Sequence, residues 1–83
     1  MQLVKFQYHP GITTECFTAR LRYKGKGLNL AYDCHNDYLV VYRGYLFPQD
    51  EMQFVVDRLK PFLRTTYQEK RWNELPKVIE FGT

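Results

Sequence analysis

The chain has 83 residues, of which 45% are hydrophobic and 25% charged. That length holds one domain and not two, and that balance excludes an intrinsically disordered chain. The formal net charge of +3 favours acidic partners, but it is too small to mark a nucleic-acid-binding protein by itself.

Residues Leu3 to Tyr8 read as a first strand, closed by the turn signal His9-Pro10-Gly11. From about Glu15 to Lys24, Phe17, Ala19, Leu21 and Tyr23 alternate with Thr18, Arg20, Arg22 and Lys24, the period-two pattern of a strand with one face buried. A two-residue loop at Gly25-Lys26 fits a type II′ turn, which places glycine first. In that register Tyr23 faces Leu28, Leu21 faces Leu30, Ala19 faces Tyr32 and Phe17 faces Cys34, and a third strand runs from Leu28 to about Asp33. The same register sets Cys16 across from His35.

Cys34-His35-Asn36-Asp37 forms the next turn, and Tyr38 to Leu46 a fourth strand with apolar residues on both sides, as in a strand covered on both faces. Pro48 is placed to open a helix, with Asp50 and Glu51 in its first turn and Met52, Val55, Val56 and Leu59 as its apolar stripe. Pro61 interrupts the pattern, so the helix ends near Lys60 or kinks there, and a second helical stretch is expected from about Phe62 to Leu75, ended by Pro76. Val78 to Phe81 can return as an edge strand. The expected fold is α+β, an antiparallel sheet in β-β-β-β-α-α-β order with its helices on one face, making a single domain over residues 1–83.

Four groupings bear on function. Arg20, Arg22 and Lys24 project from the face opposite Phe17 and Leu21, with Lys26 at the loop tip beside them. Tyr38, Tyr42 and Tyr45, with Arg43, crowd the fourth strand, and tyrosine and arginine are the residues most enriched at protein interfaces. Trp72 stands in the late helical segment, among Arg64, Tyr67, Lys70 and Arg71. Cys16 and His35 would bring a thiol beside an imidazole, the minimum for nucleophilic or metal chemistry. That pair lacks a CxxC spacing and a third defined ligand, so it is read as incidental. There is no phosphate-binding glycine motif, HExxH, GxSxG or EF-hand loop.

Seven tyrosines are more than so small a core can bury with every hydroxyl satisfied, so several belong at the surface. The expectation is a non-enzymatic module of inhibitor or adaptor type, without cofactor or metal, that binds a protein through Arg20, Arg22, Lys24, Lys26, Tyr38, Tyr42, Arg43, Tyr45 and Trp72. The alternative is single-stranded nucleic acid held on the basic, tyrosine-flanked sheet face. No apolar run reaches the ~20 residues that span a bilayer, and no signal-peptide pattern follows Met1. With Cys16 and Cys34 as the only cysteines, a cytoplasmic protein with reduced thiols is expected. The last strand, if unpaired on one edge, could join its copy in a homodimer.

Overall fold

The computed structural model describes residues 1–42 and 49–82. Five strands, β1 (Gln2–His9), β2 (Cys16–Tyr23), β3 (Lys26–Asp33), β4 (Tyr38–Tyr42) and β5 (Val78–Glu80), form one antiparallel sheet in the order β4-β3-β2-β1-β5. Helix α1 (Gln49–Gln68) carries the chain back across the sheet, and a short 3-10 turn at Trp72–Glu74 leads into β5. β4 and β5 are the two edges. β4 was expected to be covered on both faces. It has only one buried face, with Leu39 and Val41 inside and Tyr38, Val40 and Tyr42 outside. The expected continuation of this strand to Leu46, and Pro48 as the helix opener, lie outside the described residues.

The β2–β3 turn differs from the expected one. The loop residues are Lys24 and Gly25, with φ of 51° and 74°, between the closing pair Tyr23 and Lys26. Positive φ at both central residues makes a type I′ turn, whose twist suits a hairpin. Pairing is therefore two residues out from the expected register: Leu21 faces Leu28, Ala19 faces Leu30 and Phe17 faces Tyr32. A slip of two leaves every side chain on its expected face, so the core assignment survives the error. The observed register also places Gly27 beside Arg20, where a Cβ would come within 2.8 Å of the Arg20 Nη2.

Strict alternation along β1 would put Leu3 and Phe6 on opposite faces. The register with β2 shifts between Val4 and Gln7, and Lys5 takes a φ of 55°. This bulge inserts one extra residue. Leu3 and Tyr8 then sit opposite the core residues Leu21 and Phe17, and the Phe6 ring lies 4.9 Å from that of Phe17.

Two helices were expected and one is found, because Pro61 lies inside α1 and does not end it. Proline removes one intrahelical hydrogen bond, leaving the carbonyl four residues back, that of Asp57, without its partner. Pro61 and Asp57 are both solvent-exposed, so water can take that carbonyl. On the opposite side Val55, Leu59, Leu63 and Thr66 form one buried stripe that runs past the proline. Burial of each large apolar side chain is worth about 1.5–3 kcal/mol, enough together to hold the helix through one lost bond. The helix ends instead at Lys70, whose φ is 55°. The Arg71 N–H donates to the Thr66 carbonyl at 3.0 Å and the Lys70 N–H to that of Tyr67 at 3.1 Å. This is a Schellman ending with lysine in the place glycine prefers.

Two stability changes follow. Pro61→Ala restores a helix hydrogen bond and should raise stability by about 1–2 kcal/mol, and Lys70→Gly should raise it by about 1 kcal/mol by relieving the left-handed backbone. Both are measured by urea denaturation with an unchanged m-value. A fall in stability for Pro61→Ala would mean that the proline supports the helix path.

Candidate interaction surface

The helix and the core occupy one face of the sheet, and the outer face carries the alternate residues of each strand. The strand pairings fix its layout in rows. Val78, Val4, Arg20, Asn29 and Tyr42 form one row from β5 to β4. Gln7, Thr18, Ala31 and Val40 form a second, and His9, Cys16, Asp33 and Tyr38 a third. At the β4 end Tyr38 is 62% exposed, Val40 38% and Tyr42 49%, so three consecutive outward positions of an edge strand present apolar surface. Ala31 is small beside its neighbours, and a shallow hollow of about 190 Å³ lies among Cys16, Ala31, Tyr38 and Val40.

Arg20 and Arg22 are exposed on this face. The Arg20 Nη1 donates to the Asn29 Oδ1 at 3.3 Å, and its guanidinium lies over Gly27. Among the described residues no carboxylate pairs with either arginine. The third cation expected in this stripe is elsewhere: the type I′ turn carries Lys24 towards the helix, where its Nζ meets the Glu51 Oε1 at 3.0 Å and lies 5.3 Å from the Tyr23 ring centroid. Lys26 is exposed opposite Tyr23, on a core-side position of β3. Asp33 shares the outer face, but its carboxylate accepts from the His35 and Asn36 N–H groups and from the Asn36 side chain. These donors hold its carboxyl below the usual range, the Asn36 side chain most of all. Arg43 and Tyr45 lie outside the described residues.

Trp72 does not join this surface. It is half-buried against the core side, stacked on Tyr8 with ring centroids 4.1 Å apart and close to Phe17 and Tyr67. The expected Cys16–His35 pairing is also absent. Cys16 stands opposite Asp33, and the His35 Nε2 lies 3.0 Å from the Glu15 Oε1. The Cys34 thiol is buried, and burial pushes its pKa up to about 12, the reverse of what a nucleophile needs. Among the described residues no group of three or more His, Cys, Asp and Glu could hold a metal ion.

Sequence reasoning missed two carboxylates that organise the core-side end of the sheet. Glu15 accepts from the Tyr67 hydroxyl at 2.6 Å, from the Tyr8 hydroxyl and from His35. Asp37, at a φ of 53°, accepts from the Tyr32 hydroxyl at 2.6 Å and from the Arg64 Nη2 at 2.7 Å. Tyr67 and Arg64 are on α1, so each carboxylate ties a loop of the sheet to the helix. The partners lie up to 52 residues apart in the chain, which is why no local pattern announced them.

Comparison with models of protein families, with curated proteins and with solved structures finds no match to this chain. No described helix is long and apolar enough to cross a membrane.

The two carboxylates set a pH dependence at both ends. Hydrogen bonds from Arg64 and then Tyr32 hold the Asp37 carboxyl at about 2, below its unfolded value, so its contribution is complete above about pH 4 and is lost as pH falls through about 2. The hydrogen bond to Glu15 raises the Tyr8 pKa to about 12, so that contribution is complete below about pH 10 and is lost as pH rises through about 12. Asp37→Asn should flatten the acid limb and Tyr8→Phe the alkaline limb of stability against pH, measured by denaturant titration at each pH. An unchanged limb in either variant would detach that residue from the effect.

Proposed function

We propose that the chain is a non-enzymatic module that binds another protein through the outer face of its sheet at the β4 end, as an inhibitor or adaptor does. The observation that carries this reading is the exposed run of Tyr38, Val40 and Tyr42 on alternate positions of an edge strand, in the same plane as Arg20 and Arg22. Tyrosine supplies large contact area at low entropic cost, arginine supplies a planar donor fork, and both are usual anchors of interfaces. Single-stranded nucleic acid would also use rings and cations. The withdrawal of Lys24 to Glu51 and the presence of Asp33 and Glu80 on this face favour protein over phosphate. A cytoplasmic setting goes with the reading.

A photo-crosslinking residue at Tyr42, compared with one at the exposed helix position Asp57, tests this in cell extract. A discrete protein adduct from position 42 alone is expected. The joint variant Tyr38→Ala/Arg22→Ala should weaken capture of that protein by about 2 kcal/mol or more, while stability changes by about 0.5 kcal/mol or less. Identical adducts from both positions, or adducts with RNA from position 42, would overturn the reading.

A further inference from the structure

A second recess lies on the other flank of the molecule, away from β4. β5 pairs with β1 only at Gln2, Leu3 and Val4. The next residue of β1 is the bulged Lys5, and the segment leading into β5 runs through Trp72, Leu75, Pro76 and Lys77. Between them is a cleft of about 360 Å³, walled by Phe6, Trp72, Leu75 and Pro76, with Lys5 and Lys77 completing its lining. That volume is in the range of small-ligand sites.

Three features make this more than a gap in packing. First, neither lysine has a carboxylate partner among the described residues, so two cationic residues line one recess with no ion pair to balance them. Second, Trp72 is held in place from behind. It stacks on Tyr8 at 4.1 Å and lies 6.0 Å from Phe17 and 6.3 Å from Tyr67 between ring centroids. A wall fixed in this way needs no ordering when a ligand arrives. Third, Lys5 occupies a left-handed backbone position, φ 55°, which a bulge would normally fill with glycine. The lysine side chain is kept there at a conformational cost, and no ion pair among the described residues offsets it. Backbone strain of this kind gathers at ligand sites.

We infer that this cleft is a binding site for a small organic anion, a carboxylate or phosphate joined to a ring-sized apolar group, with the ring against Trp72 and Phe6 and the anion between Lys5 and Lys77. Ammonium groups serve as point charges for either anion, and an indole face accepts a flat apolar group. The site is distinct from the outer sheet face and does not depend on the reading given to that face.

Trp72 is the sole tryptophan, so its fluorescence reports on the cleft directly. Phenyl phosphate and phenylacetate are titrated as the two anionic probes, with benzyl alcohol as the neutral one. A saturable change is expected with one or both anions, at least roughly threefold tighter than with benzyl alcohol and weakened by about 0.5 M salt. Lys77→Gln and Lys5→Gly should each reduce the anion affinity by roughly threefold or more. Glycine suits the backbone at position 5, and an unchanged circular dichroism spectrum confirms that fold loss is not the cause. The inference is overturned by no saturable change with either anion, by equal binding of benzyl alcohol, or by full affinity in both lysine variants. Stronger binding of phenyl phosphate than of phenylacetate identifies phosphate as the anion, and the reverse identifies carboxylate.

Discussion

One helix can cover only one face of a five-stranded sheet, and the rest of this structure follows from that constraint. The buried face takes Leu3, Phe17, Leu21, Leu28, Leu30, Tyr32, Leu39, Val41 and Ile79, closed by Val55, Leu59 and Leu63 of α1. Every alternate residue of β2, β3 and β4 is then left to face outwards. A soluble sheet normally fills such a face with charged and hydroxyl-bearing residues. Here β2 does so with Thr18, Arg20 and Arg22, whereas β4 offers Tyr38, Val40 and Tyr42. The other edge, β5, adds only Val78, so the run of three is on β4, which among the described residues also bears unpaired backbone on its outer side and none of the lysine or proline guards common on edge strands within Tyr38–Tyr42.

The helix is held at both ends by charges borrowed from loops. Lys24 in the β2–β3 turn meets Glu51 in its first turn. Asp37 and Glu15, from the turns at the opposite end of the sheet, take Arg64 and Tyr67 from its later turns. Exposed pairs such as Lys24–Glu51 contribute little by themselves. The half-buried carboxylates matter more for geometry than for net energy, because each must satisfy several lone pairs at once or bear a desolvation cost. Glu15 meets that demand with two tyrosines and a histidine, and this accounts for two of the seven tyrosines without appeal to function. Tyr32 is explained in the same way by Asp37. Of the tyrosines in the described residues, Tyr38 and Tyr42 are the ones that remain strongly exposed, which sharpens the argument for β4.

How far the sequence revealed this is best seen in the hairpin of β2 and β3. Period-two alternation identified both strands and the correct inner face. The turn was misplaced by one residue because two adjacent Lys-Gly pairs offer the same glycine signal to either register. The error was harmless for facing, since a shift of one in the turn moves the pairing by two. It was not harmless for the site, because it left Lys24 on the arginine stripe and set Cys16 against His35. Pro61 misled for a different reason. A breaker read locally implies an end, but an apolar stripe on the far side of the helix and water at the freed carbonyl outweigh one missing bond. Trp72 is expected at the interface and instead packs against the core side, since its partners Tyr8 and Phe17 come from strands more than fifty residues earlier.

Lys5, Lys24, Asp37 and Lys70 all adopt positive φ without being glycine, and comparing them ranks the two surfaces on physical grounds. The Asp37 side chain is held by Tyr32 and Arg64, and that of Lys24 meets Glu51. At Lys70 only the backbone is engaged, through the two hydrogen bonds that end α1, and at Lys5 only the backbone of the bulge. Neither of these two lysine side chains has an ion-pair partner among the described residues, and of the two only Lys5 lines a cleft. The β4 face stands out by what is exposed. The cleft beside Lys5 stands out by a side chain retained where the backbone disfavours it, opposite a second free cation and against a tryptophan already fixed by three rings. A ligand that supplied the missing negative charge would give Lys5 the kind of side-chain partner that Lys24 and Asp37 already have.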